Sequence, residues 1–554
     1  MKNLLLNSIG LASLFLLASC GGGGGSTVSS QDGATIPVAV VTPNATLPPA
    51  TATPSVTVPV AVVPPVAPVT PTDTGIRAVS LAPATAAQHW GKTVQLNATA
   101  INAMGAAALG EPVTYASSDQ NVASVAANGL VTLVNPGSAT ITAVVGGIAS
   151  NASAITVKGF VAATLAVSRE DNCVLDDTRT EIICWGDGYP MYPNLPLQLQ
   201  YPSPLKLNMG QIPAGTVLKQ VAPGFSHSCA LTDAGAAYCW VGAARNSATE
   251  IAAMGTNSQS PIGEPALVQR GEIPVDVTLV KLFQGFRSTC GLANDGNLYC
   301  WGSVAGIPRT VSGFPTGTNF YNAPVKLISS AKFTDFAIGT NRSCALSEAG
   351  QLYCGRTGST GIGNGGNAGT LTLVVNPASE VPANVKLVKL KSESGNDGDF
   401  MTALGDDGWV YSYGTGFGRR FGNGLSTFVS ADKLTRLGQG DIPAGVKVKD
   451  FSPGGISSSH CLLGDNGKAY CWSTGYFGSL GDGNLAEHEA LAPQLVLQGQ
   501  VPASVALVSI GCGTFHCAAI GSDRKTYAWG FKEGAAIGGT VSVAVPTLIN
   551  KVGN

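Results

Sequence analysis

The sequence predicts an all-β protein in which a small β-sandwich precedes a seven-bladed β-propeller. Three observations predict this. The 554 residues include 71 Gly and 33 Pro but only 12% charged residues, a turn-rich usage unlike that of a helical enzyme. Beyond about residue 158, one motif of paired cysteines, a glycine and aromatics returns seven times. Each return is written in short alternating strands bounded by turn residues, without helical periodicity. The 31 basic and 33 acidic residues leave a net charge of −2, which provides no field for capturing nucleic acid. A hydrophobic fraction of 44% is enough for a large core.

Met1-Lys2, an apolar stretch over residues 4–17 and Leu17-Ala18-Ser19-Cys20 open the chain. The stretch is too short to span a bilayer and has the flanks of a secretory signal. It resembles a bacterial lipoprotein signal, residues 1–19, which implies cleavage before Cys20 and acylation of its sulfur. Gly21, where an Asp would resemble an inner-membrane retention signal, points to the outer membrane. Residues 20–75 then form a Gly-, Pro- and Thr-rich tether whose only charges are Asp32 and Asp73. Proline removes backbone donors and favours extended chain, so about fifty such residues reach on the order of 150 Å.

Residues 76–157 carry alternating strands at Val94-Gln95-Leu96-Asn97-Ala98-Thr99, Val113-Thr114-Tyr115 and Ala139-Thr140-Ile141-Thr142-Ala143-Val144. Short strands over so small a span read as a sandwich. The runs Val113-Thr114-Tyr115-Ala116-Ser117-Ser118-Asp119, Asn128-Gly129-Leu130-Val131 and Gly137-Ser138-Ala139-Thr140 resemble the bacterial Ig-like domain of group 2, with Tyr115 where a Trp is more usual. Such a resemblance implies a spacer or adhesive module.

Residues 158–554 hold the repeats. Their first-cysteine column falls at 173, 229, 290, 344, 402, 461 and 518, at intervals of 54–61 residues. In four copies ten positions separate two cysteines, and a Gly stands six after the first. That spacing centres a hairpin in which Leu231 faces Ala237, and Asp233-Ala234-Gly235 is a three-residue loop with a left-handed Gly. Cys229 then lies opposite Cys239, and likewise Cys290 with Cys300, Cys344 with Cys354, Cys461 with Cys471 and, with one residue inserted, Cys173 with Cys184. Thr402 and Ser412 replace both cysteines of one copy, Ala518 and Ala528 both of another. No copy keeps half a pair, as a covalent partnership in an exported protein predicts. Each closure is worth roughly 3 kcal/mol in the chain-entropy view. Cys512 and Cys517, outside the column, are read as a local pair. Five segments such as Gly210-Gln211-Ile212-Pro213 and Gly440-Asp441-Ile442-Pro443 precede the hairpins and introduce an alternating strand. Each unit thus supplies about four strands, one blade of a propeller.

These repeats resemble the regulator of chromosome condensation family, seven-bladed propellers whose eukaryotic founder is a nucleotide exchange factor for a nuclear GTPase. Fold carries over; exchange activity is not expected of an exported lipoprotein without a basic surface. Val545-Pro546-Thr547-Leu548 reads as the start of an eighth unit, suited to closing the ring by strand exchange.

No catalytic constellation, metal site or cofactor is expected. His227 and His516 share one repeat position and are read as satisfying a structural hydrogen bond within a blade. Asp233, Asp295, Asp407 and Asp465 sit at turns and cap them. Five tryptophans stand beside the second cysteine and are assigned to the core. A binding face is expected in the insertions between hairpins, with Tyr189, Tyr192, Tyr201, Phe320, Tyr321, Arg419 and Arg420 as candidates. The expected function is non-catalytic display of the propeller for protein or glycan binding. An inhibitor of a periplasmic or extracellular enzyme, like a streptomycete β-lactamase inhibitor with a similar propeller, and a glycan-active enzyme are the alternatives.

Overall fold

The computed structural model describes residues 75–554 apart from 109, 169–170, 187–200, 225, 242–250, 257–262, 286, 304–319, 328, 340–341, 357–370, 375–378, 393–399, 455–458, 532–540 and 550–554. The signal and tether predicted for residues 1–75, with Cys20, therefore lie outside the described residues but for Gly75. No helix among the described residues is long and apolar enough to cross a membrane.

The first module is a sandwich. Ile76–Ala82 pairs with Asn97–Asn102, and Thr85–His89, Ser153–Lys158, Gly137–Val145 and Val113–Ser117 form the main sheet. Thr93–Gln95 belongs to a separate three-stranded sheet. The single strand expected over residues 94–99 therefore breaks at Leu96. Its side chain is wholly buried and its N–H donates to the Gly129 carbonyl, so the chain turns from one sheet into the other around a core anchor.

Seven four-stranded sheets follow, each a meander of consecutive strands. The register matches the spacing argument: Leu231 opposes Ala237 and Cys229 opposes Cys239, with Gly235 left-handed. All five column pairs have their sulfurs at bonding distance, and so do Cys512 and Cys517. Thr402 opposes Ser412, and Ala518 opposes Ala528, in the positions of the missing pairs. Trp185, Trp240, Trp301, Trp472 and Trp529 are fully buried between blades.

Val543–Leu548 is the fourth strand of the seventh blade, not the start of an eighth, and no strand is exchanged between the chain ends. Ring closure is by side chains. His516 Nε2 lies 3.1 Å from Asn172 Oδ1 of the first blade, and Gly511 leaves just enough space for Val167. His227 makes the equivalent contact, 2.6 Å to Thr289 Oγ1. The shared histidine position thus links neighbouring blades, a correction to the within-blade bond expected from sequence.

The Gly-x-Ile/Val-Pro segments are turns that clamp strands. In each, the residue after the Gly, or after Ser379 in the copy where Ser replaces it, donates its N–H to a carbonyl of the blade's own fourth strand and accepts an N–H there with its side chain. Glu272 does so on Pro324 and Lys326, Glu380 on Leu434 and Arg436, Asp441 on Pro493 and Leu495, and Gln500 on Pro546 and Leu548. Gly440 has φ +49° and any Cβ there would collide with the Pro493 carbonyl, which fixes Gly at the position.

The sandwich is clasped to the ring where the first and last blades meet. Trp90 and Phe160 stack edge to face at 4.6 Å and share one core with Val174, Ile183 and Trp185 of the first blade and Ala518, Ile520 and Ala528 of the seventh. The Phe160 N–H donates to the Arg524 carbonyl, the Gly159 N–H to Asp177 Oδ2 at 2.5 Å, and Arg524 pairs with Asp177 across the seam at 2.9 Å. Arg524 stands where other copies have the hairpin Gly and keeps its left-handed conformation, φ +61°. The residue inserted in the first copy has the same origin: wholly buried Asp176 accepts from the Thr180 and Glu181 N–H groups and pairs with Lys158 at 3.2 Å. His89, Lys158 and Lys206 surround Glu181 and hold its carboxyl far below the usual range. The two copies that depart from the hairpin pattern are those that receive the sandwich.

Candidate binding face

In a four-stranded meander the first and third connections leave one end of the blade, the second and the link to the next blade the other. This parity sorts the ring into two faces. The short hairpins and the Gly-x-Ile/Val-Pro turns share a face with the sandwich, which docks on Asp177, Arg524 and Lys525. Every insertion between third and fourth strands opens on the opposite face.

The expected face residues fall there, but not as one surface. Tyr189 and Tyr192 lie outside the described residues, and Tyr201 opens the strand Tyr201–Lys206. Phe320 and Tyr321 begin Phe320–Lys326, both half-buried, with Tyr321 packed on the core below. Arg420 is buried, placed over the Phe400 ring at 5.6 Å, and its carbonyl accepts from Trp472 Nε1. Arg419 is tied to Glu489 at 3.1 Å and is mostly covered. These two arginines are removed from the candidate face: the short helix Gly418–Phe421 turns its last residues inward, where Phe421 meets Phe400.

A different cluster occupies the face. Phe477, on the sixth blade's insertion, packs against Phe531 at 4.6 Å and Phe515 at 5.7 Å, and Tyr476 meets Phe515 at 5.6 Å. Phe477 is 42% exposed and has φ +55°, a conformation rarely held by a bulky residue and one associated with binding sites. Ser479 supports the loop: its hydroxyl accepts the Tyr476 N–H and its carbonyl accepts Trp529 Nε1. Asp482 and the Ala486 carbonyl both accept from the His488 ring, at 2.6 and 2.8 Å; despite partial burial these acceptors raise the pKa of the imidazole. In the sequence the loops around Phe477 and Phe515 are marked only by their glycines, Gly475, Gly478, Gly481 and Gly513. Their shared face follows from the meander parity, which was available once four strands per blade had been counted.

The carboxylates that recur at the hairpins are engaged in turns and ion pairs. Asp295 and Asp407 cap their turns through Asn297 and Trp409, Asp465 through Lys447, and Asp233 pairs with Arg179 of the first hairpin. Among the described residues the sulfurs of Cys461, Cys512 and Cys517 lie within 4.8 Å of one another, but all three are in disulfides.

The fold defines an all-β class of architecture, a seven-bladed propeller carrying an Ig-like module. Residues 76–157 match the bacterial Ig-like domain (group 2) family. The ring is a repeat propeller like that of the regulator of chromosome condensation. It is 24% identical to that protein from Mus musculus over 52% of this chain and 69% of the relative. It is also 26% identical to the E3 ubiquitin-protein ligase HERC2 of Homo sapiens over 49% of this chain, a match spanning only 5% of the ligase. Among solved structures, Prp20p of Saccharomyces cerevisiae superposes with TM-score 0.52 at 18% identity, covering 71% of this chain and 88% of that one. Human WBSCR16 gives 0.51 at 16% identity, covering 67% and 93%. These likenesses establish the fold.

Proposed function

We propose that this chain is an exported, lipid-anchored display protein that binds a protein partner on the insertion face of its propeller. The observation that carries the reading is the Tyr476, Phe477, Phe515 and Phe531 cluster, with Phe477 exposed in a left-handed conformation. Aromatics on a rigid ring offer large contact area at low entropic cost, the usual property of interface anchors. Acylated Cys20 and the tether over residues 20–75 support placement at the outer membrane, with the Ig-like module between tether and ring. Prp20p is reported with its binding to Gsp1p and histones. The exported, uncharged setting read from this sequence favours neither partner, and exchange activity is not part of the proposal.

The test has two arms. Palmitate labelling of cells is expected to mark the wild-type protein and to be lost in Cys20→Ala; equal labelling would remove the anchor. A photo-crosslinker at position 477 is expected to trap a discrete partner that a crosslinker at Val275, on the hairpin face, does not. Retention on polysaccharide instead of protein crosslinking would replace the protein partner by a glycan.

A further inference from the structure

The inner strands of the propeller enclose an axial cavity of about 310 Å³. Its lining runs from the middle of each inner strand to the end that leads into the insertion face, at Gly224, Gly285 and Cys512. The ladder register defines what faces it at each level. Opposite the first-cysteine column stand Ala166, Ala222, Phe283, Ala337, Lys391, Ser452 and Gly511, one from each blade. Three alanines and a serine leave open volume, the space beside Gly511 being taken by Val167, and the single charged group at this level is the Lys391 ammonium.

One level further in, the charges are Lys281, Asp335, Lys389 and Asp450. Lys281 pairs with Asp335 at 2.6 Å, and Lys389 with Asp450 at 2.5 Å. Lys391 reaches the same Asp450 oxygen at 3.4 Å, sharing a carboxylate already engaged. Asp335 is further committed to the Leu390 N–H and Asp450 to the Phe451 N–H. Among the described residues, three ammonium groups against two carboxylates leave one surplus positive charge facing a half-open cavity of mixed polarity, where a dielectric below that of bulk water strengthens its pull on an anion.

We propose that this cavity binds a small carboxylate anion, held by the Lys391 ammonium beside the small residues Ala222, Ala337 and Ser452. The ligand fills the volume those side chains leave and supplies the missing negative charge. The site differs from the aromatic cluster in chemistry and in depth, so failure of one leaves the other standing.

Calorimetric titration of the full-length protein at low ionic strength, with acetate and succinate in one arm and inorganic phosphate in another, tests this. Saturable binding of the carboxylates is expected, weakened at least tenfold in Lys391→Met and unchanged in Lys332→Met at the hairpin face. Burial holds the Lys391 pKa down to about 8, with Asp450 opposing and Lys389 and Lys281 adding to the depression. Binding is therefore expected to fade as pH rises through that value. Asp450→Asn, which removes a competing carboxylate, is expected to tighten binding several-fold, and it keeps the test open should Lys391→Met fail to fold. Preference for phosphate over both carboxylates would overturn the ligand class. The absence of saturation in the wild type, or equal affinity in folded Lys391→Met, would overturn the site.

Discussion

The two faces of the ring obey different rules. On the hairpin face the blades repeat the same left-handed hairpin turn and five of them the same strand clamp, and the two deviations, Arg524 and the inserted residue near Asp176, both serve the docked sandwich. On the insertion face the connections differ in sequence from blade to blade; among the described residues Gly255, Gly422 and Gly481 share a left-handed turn packed on the next blade's tryptophan, and the exposed aromatics stand on the loop that leads to the last of these. The contrast teaches where the chain invests: repetition marks the surfaces that build and close the ring, and irregularity marks the surface free to recognise something.

This division can be broken by experiment. Among single substitutions the largest expected effect is on the hairpin face. Asp176→Ala leaves Lys158 without one partner and two backbone donors without an acceptor, and is expected to cost about 3 kcal/mol in denaturant unfolding; a cost near zero would show that the clasp does not contribute to the ring. Gly440→Ala drives a Cβ into the Pro493 carbonyl and is expected to cost about 2 kcal/mol without altering binding on the other face.

Apart from these single substitutions, a graded effect comes from pH, and by pH 4 its sum over three histidines exceeds either of them. His227, His460 and His516 are wholly buried, and loss of hydration holds their pKa values down to about 3, against an ordinary value near 6.5. Folded-state pKa values below the unfolded ones mean that this stability is complete above pH 6.5 and is lost as pH falls toward 3. The slope is about 1.4 kcal/mol per pH unit for each histidine. Melting temperatures recorded from pH 7 to 4 check this, and His227→Gln is expected to flatten the profile. The smallest effect on stability is on the insertion face: Phe477→Ala is expected to change unfolding by less than about 0.5 kcal/mol while abolishing partner capture. A large loss of stability there would mean that the aromatic cluster is core.

Most of the ring was legible in the sequence because covalent pairs and hairpins are local. Ten residues between cysteines and one glycine specify a register, and Leu231 facing Ala237 follows from counting. What was not legible depends on contacts across hundreds of residues. Nothing near His516 in sequence names Asn172 as its partner, and ring closure by side chains instead of a borrowed strand could not be read from Val543–Leu548 alone. The Gly-x-Ile/Val-Pro segments were recognised as recurrent, yet their role as clamps requires knowing where the fourth strand ends. Arg419 and Arg420 lie in an insertion between hairpins, which is where the sequence points to a binding face. A four-residue helix turned them under instead, one to Glu489 and the other to Phe400.

The clasp between sandwich and ring has a consequence for the order of assembly. Residues 76–157 are synthesised before the ring, and the first blade's Asp177 soon after them, so a surface of Trp90, Phe160 and that hairpin can exist before the later blades are made. The seventh blade then docks onto a template already folded instead of searching for a free strand edge. The entropic penalty of so long a chain closure rises only logarithmically with its length. The Ig-like module thus acts as the starting jig on which a vectorially delivered ring is completed.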